Sequence, residues 1–118
     1  MKRSYGELKI EDILKEIGYP YELEYIFDDL ITKHNKPLRF DFAVFDDDGS
    51  IKCLIEYQGE QHYQSNNRCG GQAGLKKQQY NDEQKRLYCC KHNIKLIEIP
   101  YWNYERINYD TLLHAIEN

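Results

Sequence analysis

Three prolines in 118 residues and no biased repeat exclude a proline-rich or low-complexity chain, and an apolar content of 41% marks a globular one. No run approaches the roughly 20 apolar residues of a membrane span. Met1-Lys2-Arg3 leads into Ser4-Tyr5-Gly6-Glu7 without a signal peptide's apolar region, so the expectation is an intracellular, cytoplasmic protein with no membrane partner. Paired CxxC spacing is absent among Cys53, Cys69, Cys89 and Cys90, the last two being adjacent. Reduced thiols are favoured over a zinc site completed by His62 or His92. Zinc-finger and helix-turn-helix patterns are also missing. The length suits one domain, residues 1–118, and leaves no room for a second good core.

A uniformly basic surface is lacking too, since the formal net charge is −4. The distribution is uneven. Residues 1–59 hold eight basic and thirteen acidic side chains, and residues 60–118 hold eight and seven. Between positions 68 and 95, Arg68, Lys76, Lys77, Lys85, Arg86, Lys91 and Lys95 oppose only Asp82 and Glu83. A basic stretch beside an acidic centre suits an enzyme acting on a polyanion; a solvated helix face explains the same run.

Ser4-Tyr5-Gly6-Glu7 has the form of a capping box, and Leu8, Ile10, Ile13, Leu14 and Ile17 follow at helical spacing before Gly18 and Pro20. This predicts a helix over residues 5–17. A strand over 21–30 and a polar loop over 32–37 come next, then paired strands over 38–45 and 51–58. Residues 59–74, with Ser65-Asn66-Asn67 and Gly70-Gly71, read as an exposed loop. A second helix spans 75–93, with Tyr80, Leu87 and Cys90 as its apolar stripe. A buried strand covers 95–99, and a last helix, capped by Asn108 or Asp110, carries Leu112, Leu113 and Ile116. The order αβββαβα implies a mixed sheet with flanking helices.

Asp48-Gly49 between the paired strands reads as a two-residue type I′ turn. Cross-strand pairs then sum to 97, which sets Asp41 opposite Glu56. Like charges so placed destabilise a sheet, because their Cβ atoms lie about 4.5–5.5 Å apart. Alternation puts Phe40, Phe42 and Val44 on one face with Cys53, Ile55 and Tyr57. Asp41, Glu56, Arg39 and Gln58 gather at one end of the other face, beyond Ala43, Phe45 and Leu54. A divalent cation between the carboxylates would turn the repulsion into binding, as Mg²⁺ and Mn²⁺ take hard oxygen ligands. A network in which Arg39 neutralises Glu56 is the structural alternative. His62 follows within reach and has the chemistry of a general base, leaving-group acid or ligand. Gln78, Asp82 and Lys85 or Arg86 share a helix face, which an ordinary surface ion pair would also explain.

Asp41 and Glu56-x-Gln58 at the ends of paired strands, after a helix carrying Glu7, resemble the PD-(D/E)xK nuclease core. The arrangement is more narrowly similar to very-short-patch-repair endonucleases and EDxHD homing endonucleases. SYGE, LRFDF, IEYQGEQHY, RCGG, QQYNDEQKRLYC and NIKLIEIPYW resemble small endonucleases inferred in phage and bacterial genomes, from Ser4 to Trp102. The resemblance implies a restriction-endonuclease-like α/β fold, with a mixed sheet of about four strands and helices on both faces. It places the motif's acids and histidine on Glu7, Asp41, His62 and Asp82, with Glu56 as the acid of the (D/E)xK element. Gln58 departs from the pattern by standing where lysine belongs, and Lys85 is the candidate substitute. Glu7 has a competing role in the capping box.

These residues lead us to expect a Mg²⁺- or Mn²⁺-dependent DNA endonuclease of a bacterium or phage-infected cell. Asp41 and Glu56 would hold the ion, and His62, Gln58, Asp82, Glu7 and Lys85 would serve the chemistry. Arg39, Arg68, Lys76, Lys77, Gln78, Lys85 and Arg86 would contact DNA. Target specificity would come from a homodimer or a larger parent protein. A catalytically inactive nucleic-acid-binding module and a salt-bridged structural protein are the competing classes.

Overall fold

A computed structural model describes residues 3–60, 63 and 71–118. The chain forms α1 (Tyr5–Ile17), β1 (Tyr21–Ile31), β2 (Pro37–Phe45), β3 (Ile51–Gln58), α2 (Gly71–Lys91), β4 (Leu96–Pro100), a 3₁₀ turn (Tyr101–Arg106) and α3 (Tyr109–Glu117). The four strands lie side by side in chain order; the first three are antiparallel, and β4 runs parallel to β3. Parallel neighbours need a crossover, and α2 supplies it.

Hydrophobic clusters cover both faces of this sheet. On one, Ile10, Ile13 and Leu14 of α1 and Leu112 and Ile116 of α3 meet Phe42, Val44, Cys53 and Ile55. On the other, Cys89 of α2 joins Leu30, Leu38, Phe40, Ala43 and Leu54. An α/β mixed sheet with helices on both faces is therefore present. Cys53 and Cys89 fall on opposite faces as free, buried thiols, and burial raises them to about 12 and about 11.

α1 begins as its capping box predicts: the Glu7 amide donates to Ser4 Oγ at 3.2 Å, and the Ser4 amide donates to the Glu7 carboxylate at 3.4 Å. A Cβ on Gly6 would lie 2.3 Å from the Tyr57 ring, so glycine alone lets this helix start rest on β3. α3 is capped by Asn108, not Asp110.

The structure corrects four expectations. The hairpin loop has three residues, not two: the Gly49 amide donates to the Asp46 carbonyl and the Asp46 amide to the Ser50 carbonyl. Only Gly49 in it has positive φ, at 88°, whereas a type I′ turn needs positive φ at both central residues. A register shift between Val44 and Phe45 offsets the change, so Phe42↔Ile55, Ala43↔Leu54 and Val44↔Cys53 keep the expected pairing.

Second, Phe40 leaves the face of Phe42 and Val44 and packs on the α2 side. β1 changes faces at the same level: Tyr21 packs with the α1–α3 cluster, Tyr25 and Phe27 with the α2 cluster. Glu24 between them has φ 50° and lies between the pairs Leu23↔Phe42 and Tyr25↔Phe40. Third, α2 starts at Gly71, a turn before position 75. Fourth, its apolar stripe is turned outward. Tyr80 and Leu87 are 54% and 56% exposed and Cys90 is exposed, while Asp82, Lys85 and Cys89 form the buried line.

Candidate active site

The opposed carboxylates come together through the backbone. The Asp41 amide donates to Glu56 Oε2 at 3.3 Å, and the Tyr57 amide donates to Asp41 Oδ2 at 2.7 Å. Each acid thus takes an amide of the neighbouring strand just beyond the last regular pair, Phe42↔Ile55. The helix crossing that face adds Lys85, whose ammonium pairs with Glu56 Oε1 and lies 5.5 Å over the Phe40 ring. Glu56 and Lys85 are 5% and 8% exposed. The face switch of Phe40 is what gives the lysine stem this apolar floor.

Asp82 lies one turn before Lys85 on the buried line of α2 and accepts from Gln78 at 3.2 Å. Its charge raises Glu56, as burial does first, while Lys85 opposes both. Asp41 is pushed from its ordinary 3.8 to about 7, by burial first and then by the charges of Glu56 and, more weakly, Glu7. Glu7 thereby adds to the negative potential while it caps α1.

β4 contributes an acid that sequence reasoning passed over. Glu98 is the register partner of Glu56 in the parallel pair. It accepts from Arg86 Nε and Nη2, at 2.6 and 2.8 Å, and from Gln58 Nε2 at 3.0 Å. A lone acid inside the apolar run Leu96–Pro100 was the available signal. Tyr63 donates to Gln58 Oε1, so both ends of this amide are engaged. Glu56, Gln58, Asp82, Lys85 and Glu98 line a crevice with no room for water.

The structure thus brings together Asp41, Glu56, Gln58, Asp82 and Lys85, with Glu7 at the margin. Other expected contacts fall elsewhere. Arg39 pairs with Glu24 at 3.8 Å and does not neutralise Glu56, because it stands on the exposed side of β2. Arg86 is committed to Glu98, and Gln78 to Asp82. Lys76 and Lys77 are exposed on α2. His62 and Arg68 lie outside the described residues.

Asp41 and Glu56 offer hard oxygen atoms suited to Mg²⁺ or Mn²⁺. Among the described residues no group of three or more His, Cys, Asp or Glu is arranged to hold a metal, so such an ion would depend on this pair and on water or substrate oxygen. Among the described residues, Lys85 pairs with Glu56 and Arg86 with Glu98, and Glu7, 4.0 Å from Arg3, acts on Asp41 by its charge. The two carboxylates have the donor chemistry that a divalent cation takes.

No protein-family model matches the chain, and no solved structure matches it. Two viral proteins of uncharacterized function are similar to parts of it. Protein 094L of Frog virus 3 (isolate Goorha) is 52% identical over 54 residues, 44% of this chain and 35% of the relative. Protein 307L of Invertebrate iridescent virus 6 is 40% identical over 52 residues, 43% of this chain and 26% of the relative. These matches span about a third and about a quarter of the relatives' own lengths.

Proposed function

We propose that the chain is a divalent-metal-dependent endonuclease domain hydrolysing DNA phosphodiester bonds, with a restriction-endonuclease-like core. The observation that carries this reading is the Asp41–Glu56 pair, two buried acids brought together by reciprocal backbone hydrogen bonds with Lys85 beside them. A sheet built only for stability would not bury two acids there.

Asp41 and Glu56 would hold Mg²⁺ or Mn²⁺, which when bound polarises the phosphate and acidifies a water. Asp41 would serve that ion as an anionic oxygen donor. Lys85 opposes the burial that raises Glu56 and would bring the one buried cation of the described cluster to the scissile phosphate, in the role that Gln58 cannot fill. His62 takes the proton of the attacking water, and Asp82 steadies the local charge. Gln58 acts by orientation, through Glu98 and Tyr63.

Engagement of both ends of Gln58 favours a second reading, a nuclease fold that binds DNA without cutting. Supercoiled plasmid incubated with Mg²⁺, Mn²⁺ or EDTA separates the two. Nicking by the wild type that needs metal and drops at least 100-fold in Asp41→Asn and Lys85→Met supports the enzyme. An intact plasmid under every metal, with DNA still bound, supports the module and removes the enzyme claim.

A further inference from the structure

A cavity of about 660 Å³ opens between the β1–β2 turn and α2, away from the carboxylates. Lys33, His34 and Lys36 from the turn and Lys77 and Tyr80 from the helix line it, and none of its lining residues is acidic. None of the three lysines has an ion-pair partner among the described residues, although the chain as a whole carries −4. Such a concentration of cations on an acidic protein focuses a positive potential.

The turn that presents them is tied down. The Thr32 amide donates to the Lys36 carbonyl at 2.7 Å, and Thr32 Oγ1 accepts from the His34 and Lys36 amides at 3.2 Å each. Asn35 adopts φ 60°, which an asparagine tolerates. Tyr80 stands half out of the protein among these charges. The groove also has a direction. Leu38 lines it, and Phe40, two residues or roughly 6–7 Å further along β2, lies under Lys85 at the carboxylates.

We propose that this groove holds an unpaired nucleic-acid strand, with phosphates against Lys33, Lys36 and Lys77 and a base stacked on Tyr80. The proposal deepens the nuclease reading and rests on it for the choice of polyanion. The strand reaches the carboxylates along β2. Backbone contacts of this kind position a substrate without reading its sequence, and base stacking selects single strands over duplex.

Binding of a labelled oligothymidylate to the whole chain in EDTA, followed by fluorescence anisotropy across a salt series, tests the groove with cleavage silenced. The Lys33→Gln/Lys36→Gln/Lys77→Gln variant should bind at least 10-fold more weakly, with a slope of log affinity against log salt shallower by about 2. Tyr80→Ala should lose about 5- to 100-fold in single-strand affinity and leave duplex affinity unchanged. Circular dichroism checks that these surface variants stay folded. Unchanged affinity and slope in the triple variant overturn the proposal, as does wild-type binding to phosphatidylserine vesicles without binding to the oligonucleotide. Groove-dependent binding with no metal-dependent nicking leaves the groove standing and removes the nuclease. Nicking that survives in the triple variant, with unaltered binding, does the reverse.

Discussion

At the scale of single residues, Asp41 opposes the stability of its own fold. Its carboxyl is raised from 3.8 to about 7, so between those values the folded chain holds a proton that the unfolded chain has released. Stability therefore falls as pH rises from about 4 through about 7, and the loss is complete above that. Asn at this position keeps an oxygen for the Tyr57 amide and carries no charge. Asp41→Asn should melt about 4 °C or more above the wild type at pH 8, with the difference vanishing below pH 4. Equal midpoints at pH 8 in scanning calorimetry would contradict it. Mn²⁺ should raise the wild-type midpoint at that pH and leave the variant unmoved. Lys85 shows the opposite dependence. Replacing it with Met strips a buried carboxylate of its cation, which costs about 3–5 kcal/mol. Urea titration should find this cost at pH 8, a smaller one at pH 5 where Glu56 can protonate, and recovery of most of it in Lys85→Met/Glu56→Gln.

At the scale of elements, what could be read from the sequence depended on what each element buries. α1 announces itself by Ser4, Glu7 and Ile10, Ile13 and Leu14, and its bounds agree with the residues that encode them. The pairing of β2 with β3 was legible from alternation, and Asp41 and Glu56 with it. α2 misleads because its inward line is Asp82, Lys85 and Cys89, so periodicity of apolar residues points to the wrong side. A helix that carries charged groups toward a sheet turns Tyr80 and Leu87 to solvent as a consequence. Phe40 defies alternation because the strands are irregular at its level, where β1 has the left-handed Glu24 and also changes faces, and residue spacing within β2 does not register such a break. Glu98 was missed because its role comes from pairing with Glu56, some 40 positions away in the chain. Gly6 gives a test of how α1 meets the site. A methyl group there must displace the Tyr57 ring, so Gly6→Ala should lose about 1–3 kcal/mol in chemical denaturation, and Gly6→Ala/Tyr57→Leu should regain part of it. A Gly6→Ala protein of wild-type stability would mean that the helix start is free to shift.

At the scale of the whole molecule, no described helix is long and apolar enough to cross a membrane. Acidic groups converge where α2 crosses β3 and β4, and the cationic groove lies at the other flank of the same helix. Charge is thus separated across one element on a chain whose net value hides it. The edge of the sheet has a further consequence. β1 is an outer strand of eleven residues with Leu23, Ile26 and Ile31 exposed, and a straight strand of that length and character would offer its free amides and carbonyls to any other chain. Glu24, with its left-handed backbone, interrupts that offer midway and places a charge at the break. The break at Glu24, level with the point where β2 turns Phe40 toward Lys85, is thus also the place where the edge is least suited to receive another strand.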